Sequence, residues 1–242
     1  MDVPVADYRI QRLPWWPQSP TALSSPRGRV LNPLHGGISI SNAFTFGYAT
    51  LGGKVIDRAN GDEMILSNWH VLVGSWTVPP DVAIYQPGQG HGGRPENTVA
   101  HLSRHAMDEY IDAAVAKLTG TRQLLNDQLD LGPVTGVTAP MPEMRVVKSG
   151  CASKVTAGRI TGIEGRRIEY YDGVWQVIRN IVHIAQLPEG GELSRQGDSG
   201  SWWLEAGTNR AVALHFAGSN FPEYALAVAM PQVLEALQVD IR

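Results

Sequence analysis

The sequence predicts an all-β protein built as two stacked six-stranded antiparallel β-barrels with a short C-terminal helix. Three observations carry this expectation. From Gly37 onward, short apolar runs recur between glycine-rich turns, the texture of a sandwich or barrel. No long amphipathic helix interrupts the series, which excludes strand–helix–strand alternation. The runs also fall into two sets on either side of the more polar stretch 119–131. The organisation read from this is a proline-rich N-terminal arm over 1–36, a first barrel over 37–125, and a second barrel with the helix over 126–242.

The arm carries Pro4, Pro14, Pro17, Pro20, Pro26 and Pro33, a density that forbids regular helix. Trp15 and Trp16 are expected to pack on the body, because two indoles left in water are unfavourable. In the first barrel, Ser39–Ser41, Phe44–Thr50, Lys54–Asp57 and Met64–Leu66 read as strands, with Gly52-Gly53 as a hairpin signal. Ile84–Gln86, Val99–Leu102 and Ala113–Leu118 follow, and Thr119–Leu131 reads as a connection. The second set comprises Arg145–Lys148, Ala157–Ile163, Arg167–Tyr171, Val174–Ile178, Ile181–Ala185, Ser201–Leu204, Ala211–Phe216 and Tyr224–Ala229. Pro231–Leu237 has proline in its first turn and apolar residues three to four apart, which predicts a helix.

Composition narrows the function classes. The chain has 242 residues, 43% apolar and 18% charged, so it can bury a sizeable core. Its net charge of −3 and the lack of a basic run give no reason to expect nucleic acid as a partner. Cys151 is the one cysteine, so no intrachain disulfide forms and the core must hold the fold. Met1-Asp2-Val3-Pro4 opens without a basic or apolar leader, so no signal peptide is expected and a cytoplasmic setting is favoured. No apolar run approaches the roughly 20 residues of a spanning helix, so no membrane partner is expected. The oligomeric state is left open.

The chemistry centres on Gln196-Gly197-Asp198-Ser199-Gly200-Ser201. Glycines on both sides of a serine permit a tight turn with φ > 0. Such a turn exposes the hydroxyl and aims neighbouring N–H groups at one spot, which suits a nucleophile beside an oxyanion hole. Taken alone, Gly-Asp-Ser-Gly also occurs in ordinary turns, so a histidine and an orienting carboxylate are needed. Seven histidines compete. His70 follows the buried run Met64–Leu66 and opens Val71–Val73; a core histidine is the plainer reading of it in isolation. Asp112 is fused to Ala113–Leu118 and therefore half-buried, where a carboxylate needs a partner. Asp108 and Glu109 are rivals in a more polar stretch. His101 and His105 are four apart without a third ligand at metal spacing, so neither a metal nor a cofactor is expected.

Ser-Asn-Trp-His70-Val-Leu, Asp112-Ala-Ala-Val-Ala-Lys-Leu and Gly-Asp-Ser199-Gly-Ser, in this order, resemble the three motif blocks of the chymotrypsin-like serine proteases. Val147–Gly150 with Thr156–Thr161 resembles the segment before the second-barrel strands of bacterial members. The resemblance spans about residues 37–237 and leaves the arm outside. It implies an endopeptidase acting on protein or peptide substrates through an acyl-enzyme. Ser199 is then the nucleophile, His70 the base and Asp112 its orienter, with the Gly197 and Ser199 amides as the oxyanion hole.

The resemblance also places Leu193 at the base of the specificity pocket, where the absence of an acid argues against basic substrate residues. His215 with Ser194 resembles the glutamyl endopeptidases and viral 3C-type proteases, implying cleavage after Glu or Gln; a packed strand histidine is the competing reading. No activating cleavage motif is seen, so Asp198 needs an internal cation, with Lys148 the first candidate and Arg159 the second. Two functional alternatives stay open at this level: a non-catalytic peptide- or partner-binding module on a protease scaffold, and a dedicated single-substrate or self-cleaving protease.

Overall fold

The computed structural model describes residues 6–9, 26–169, 175–220 and 223–242. In chain order the strands begin with β1 (Ala6–Arg9), β2 (Leu34–Gly36), β3 (Ser39–Asn42), β4 (Ala49–Thr50) and β5 (Gly53–Asp57). They continue as β6 (Glu63–Ser67), β7 (Ala83–Tyr85), β8 (Thr98–Met107), β9 (Asp112–Leu118), β10 (Leu124–Gln128), β11 (Gly132–Pro133) and β12 (Gly136–Val137). The last are β13 (Arg145–Gly150), β14 (Lys154–Glu169), β15 (Trp175–Ala185), β16 (Trp202–Glu205), β17 (Arg210–Asn220), β18 (Glu223–Ala229) and β19 (Val239–Asp240). Two α-helices occur among the described residues, α1 (Trp69–Leu72) and α2 (Met230–Ala236). Neither is long and apolar enough to cross a membrane.

One large sheet follows the path β19-β5-β6-β9-β8-β7-β3-β4, and the other follows β1-β14-β13-β16-β17-β18-β15 with β12 beside β17. A further pairing of β14 with β15 brings the second path back on itself. A small sheet, β11-β10-β2, stands apart from both. The chain is therefore all-β, with two sheet-built halves and a short helix near its end, as expected. The count of six antiparallel strands per half is not what the ladders show. Each large sheet has eight strands, and the pairings β1–β14, β2–β10 and β12–β17 are parallel. Short segments outside the main series add themselves to sheet edges, where open N–H and C=O groups accept another strand. The last strand, β19, pairs with β5 of the first sheet.

Several local expectations change with long-range packing. Gly52-Gly53 is no hairpin: it bends one strand between β4 and β5 beneath Trp202. A Cβ on Gly52 would lie 2.3 Å from the Trp202 indole nitrogen, and one on Gly53 would lie 2.7 Å from its ring. Only Ala49–Thr50 of the run Phe44–Thr50 is strand, and Phe44 and Phe46 stand exposed. The connection 119–131 contains β10, whose Leu124 is fully buried. Strand pairs expected over 157–171 and 174–185 are continuous as β14 and β15, because each finds its partner in the other along nearly its whole length. Trp15, Trp16, Tyr171 and Val174 lie outside the described residues.

The core explains why the halves are held together. One apolar cluster draws on both sheets, joining Val55, Met64 and Leu66 to Trp202, Leu214 and Val233. Each half also has its own cluster. Trp202 and Trp203 are both fully buried. A buried indole removes roughly 150–250 Å² from water, about 4–6 kcal/mol of gross transfer free energy before entropy is counted. The turn that precedes these tryptophans is thus anchored at the seam between the halves.

Candidate active site

His70 lies on α1, a single buried helical turn directly after β6, rather than at a strand end. The Val71 and Leu72 amides close this turn on the Asn68 carbonyl. The Asn68 side chain donates to the Asp112 carbonyl at 2.9 Å, tying the turn to the start of β9. Asp112 then receives His70 twice. The His70 backbone N–H donates to Oδ1 at 3.1 Å, and its ring Nδ1 meets Oδ2 at 2.6 Å. His70 is 4% exposed and Asp112 not at all, so their bond forms where water competes little.

The Ser199 turn comes from the other half and packs against Ser67, three residues before His70. Gly197 and Gly200 take φ of +102° and +95°, which only glycine adopts without strain. A Cβ on Gly200 would lie 2.1 Å from the Ser67 hydroxyl and 2.3 Å from the Thr50 carbonyl, so the turn sits against β4 and the end of β6. Thr50 grips it on both sides: its N–H donates to the Ser199 carbonyl at 2.8 Å, and its hydroxyl donates to the Gly197 carbonyl at 2.8 Å. Gly197, Asp198 and Gly200 are buried, whereas Ser199 is partly exposed.

The turn's amides divide into two groups. Asp198 N–H donates to the Arg195 carbonyl, Gly200 N–H to the His215 carbonyl and Ser201 N–H to the Asp198 carbonyl. No acceptor among the described residues takes the N–H of Gly197 or Ser199. The Ser199 hydroxyl donates to the Phe216 carbonyl at 3.3 Å, a long bond that is readily given up.

Asp198 points inward, away from the hydroxyl. Lys148 Nζ donates to Oδ2 at 2.9 Å with both side chains fully buried. The Ala152 and Ser153 amides donate to Oδ1 at 3.1 and 3.0 Å, while the Ser153 hydroxyl and Arg195 N–H reach Oδ2. Burial pushes the Asp198 carboxyl upward, but Lys148 and these donors outweigh it and hold it at about 2. Burial pulls the Lys148 ammonium below its ordinary value, opposed by Asp198. Arg159 is elsewhere, paired with exposed Glu143. Cys151 is fully enclosed beside this cradle, and burial with Asp198 raises its thiol to about 12, so it is a packed, unreactive group.

The other expected specificity residues are all buried. His215 is 3% exposed, and the Trp203 indole N–H donates to its Nδ1 at 3.4 Å. That acceptor role puts the imidazole proton on Nε2. Burial, helped by nearby Lys148, lowers the His215 pKa to about 3, so the ring is neutral. Ser194 lies close to Gly218, where a Cβ would approach its hydroxyl to 2.8 Å. Leu193 is fully buried, in one apolar cluster with Val146, Ile160, Ile184 and Trp203. An aliphatic side chain at that position is drawn into the core of the second half.

Sequence reasoning missed Thr50, Ser153 and Trp203, which hold the Ser199 turn, Asp198 and His215. Thr50 and Ser153 carry no local signal, since ordinary strand and turn positions gain these roles only by juxtaposition. Trp203, adjacent to the serine motif, could have been suspected as the neighbour of a buried strand histidine. No group of histidine, cysteine and carboxylate residues suited to a metal occurs among the described residues.

Comparison of the fold identifies the class of architecture: it is that of the chymotrypsin-like serine proteases of bacteria. A chymotrypsin from Cellulomonas bogoriensis superposes with a TM-score of 0.63 at 17% identity, over 87% of this chain and 98% of its own. A Nocardiopsis protease gives 0.64 at 16% identity, over 87% and 99%. A third structure, a glutamic-acid-specific serine protease described as using a histidine triad in substrate binding, gives 0.64 at 18%, over 86% and 100%. No protein-family model and no curated protein matches the chain at the level of sequence.

Proposed function

We propose that the protein is a serine endopeptidase that hydrolyses peptide bonds through an acyl-enzyme. The observation that carries this reading is the double engagement of His70 by Asp112, together with a serine turn, packed on Ser67, whose Gly197 and Ser199 amides find no acceptor among the described residues. With Nδ1–H donated to Asp112, Nε2 is the basic nitrogen of His70. Ser199 leaves the Phe216 carbonyl, passes its proton to His70 and attacks the scissile carbonyl. The oxyanion then takes the two amides, each worth about 2.7–4 kcal/mol in the transition state. His70 returns its proton to the leaving amine, and water repeats the sequence to release the acid.

For the residue before the scissile bond the proposal is Glu or Gln. A neutral His215 with its proton on Nε2 offers one hydrogen-bond donor to a carboxylate or amide oxygen, and the Ser194 hydroxyl, beside Gly218 of the strand that carries His215, would supply a second donor. Asp198 is proposed to be held by Lys148 without an activating cut.

The test pairs a fluorophosphonate probe with cleavage-site profiling of a peptide library, on wild type and Ser199→Ala. Labelling at Ser199 and cleavage, both lost in the variant, support the endopeptidase. Undiminished cleavage by Ser199→Ala overturns it. A profile dominated by Leu or Phe before the scissile bond overturns the Glu or Gln assignment alone.

A further inference from the structure

Arg27 is an arginine of the N-terminal segment with 2% exposure, in the single 3-10 turn Pro26–Gly28. Burying a guanidinium is expensive unless its donors are met, and here five acceptors meet them. Nη1 donates to the Ser149 hydroxyl at 2.6 Å, the Gly150 carbonyl at 2.9 Å and the Gly37 carbonyl at 3.2 Å. Nη2 donates to the Leu129 carbonyl at 3.2 Å and to Asp130 at 2.7 Å. Ser149, Gly150 and Cys151 lie between Lys148 and the Ala152-Ser153 amides, and Lys148 and those amides together cradle Asp198. Gly150 touches the carboxylate so closely that a Cβ there would lie 2.2 Å from Oδ1. The next residue, Cys151, donates its N–H to Thr50 and its thiol to the Gly197 carbonyl.

A second line of contact leaves the same turn. Gly28 is pressed on the His91 ring, where a Cβ would come within 2.8 Å. His91 bonds the Ser39 hydroxyl at 2.7 Å and stacks on Tyr48 with centroids 4.0 Å apart. Tyr48 in turn lies against Gly197, within 2.5 Å of where its Cβ would be. The turn 26–28 thus supports the Gly197–Ser199 turn from both sides, through the Asp198 cradle and through the Tyr48 ring.

We infer that Arg27 is a positioning residue for the oxyanion turn, so that the Pro26–Gly28 turn is a built-in support of the site rather than a passive connection. The inference rests on the endopeptidase reading. Its action is indirect, because the guanidinium touches neither Ser199 nor His70 in this arrangement; it fixes the backbone from which Asp198 and Gly197 are held. A planar fork that satisfies several carbonyls at once is a task lysine does not reproduce.

The test compares Arg27→Ala and Arg27→Lys with wild type in probe labelling and in kcat and KM for a peptide substrate. Arg122→Ala serves as a control, since Arg122 also bonds several carbonyls (of Leu31, Gln86 and Asn97), none of which belongs to the Ser199 turn or the Asp198 cradle. For Arg27→Ala the expected result is a kcat lower by about 10–100-fold, short of the loss of a whole oxyanion donor, with KM within about twofold. Arg27→Lys recovers only part of the rate. Millimolar guanidinium added to Arg27→Ala raises kcat but leaves Arg122→Ala unchanged. If Arg27→Ala does not fold, Ser149→Ala decides: a reduced kcat at unchanged KM supports the inference, and wild-type kcat overturns it. Folded Arg27→Ala with wild-type labelling and kcat also overturns it. Failure of the probe to label wild type would instead strike the endopeptidase reading.

Discussion

Lys148 and Asp198 form an ion pair at 2.9 Å from which water is wholly excluded, 50 residues apart in sequence. The pair turns the acid of the serine motif away from the hydroxyl and into the second half. Trp203 lies alongside, its ring 5.5 Å from the Lys148 ammonium, and so links the pair to His215. The pair's surroundings make its energetics one-sided. Removing either charge leaves the other buried without its counter-charge, which costs far more than the pair contributes over an apolar replacement.

Lys148→Met therefore lowers stability by about 3–5 kcal/mol in denaturant titrations and slows probe labelling of Ser199. The double variant Lys148→Met/Asp198→Leu recovers much of the stability but not the labelling, since the turn has lost its cradle. Equal labelling in wild type and the double variant would show that the pair does not organise the site.

Asp112→Asn keeps the shape of the site while reversing the tautomer of His70. A fall in kcat of about 10⁴-fold is expected, with far-ultraviolet dichroism unchanged. A loss below about tenfold would mean that Asp112 does not set the tautomer.

Acid should destabilise the protein in two overlapping steps. The folded pKa of His215, about 3, lies below the ordinary value of 6.5, so the unfolded chain binds the proton first. Stability is lost as pH falls from about 6.5 toward 3. Asp198, at about 2 in place of 3.8, adds a loss from about pH 3.8 down to 2. Denaturant midpoints measured between pH 7 and 3 should fall for wild type and fall less steeply for His215→Gln. Parallel curves would mean that His215 is not the group responsible.

Glycine substitution separates backbone strain from collision. Gly61 has φ +76° with open space around it, so Gly61→Ala costs only about 1–2 kcal/mol. Gly200→Ala meets the same left-handed penalty plus contacts of 2.1 and 2.3 Å with Ser67 and Thr50. It should lower the melting temperature further and abolish probe labelling, whereas Gly61→Ala labels normally.

Much of the site is legible in the order of residues alone. Glycines around Ser199 announce a strained turn by themselves, because positive φ is a local property of the backbone. His70 and Asp112 are legible because each follows or opens a run of apolar residues, and such runs must be buried. These signals are short-range, and so is the physics behind them.

What the tertiary structure decided was contact between distant segments. Arg27 meets Ser149 across 122 residues, and nothing near Pro26 announces it. Gly52-Gly53 reads as a hairpin until Trp202 is placed over it. Leu193 goes into the core because Val146, Ile160 and Trp203 surround it, a fact of three other strands. By itself the sequence determined an all-β chain in two halves with its reactive residue types in order; the tertiary structure decided which buried polar groups meet. The physical reason is that propensity and turn chemistry act over a few residues. A buried charge, by contrast, is tolerated only where a partner from elsewhere in the chain satisfies it.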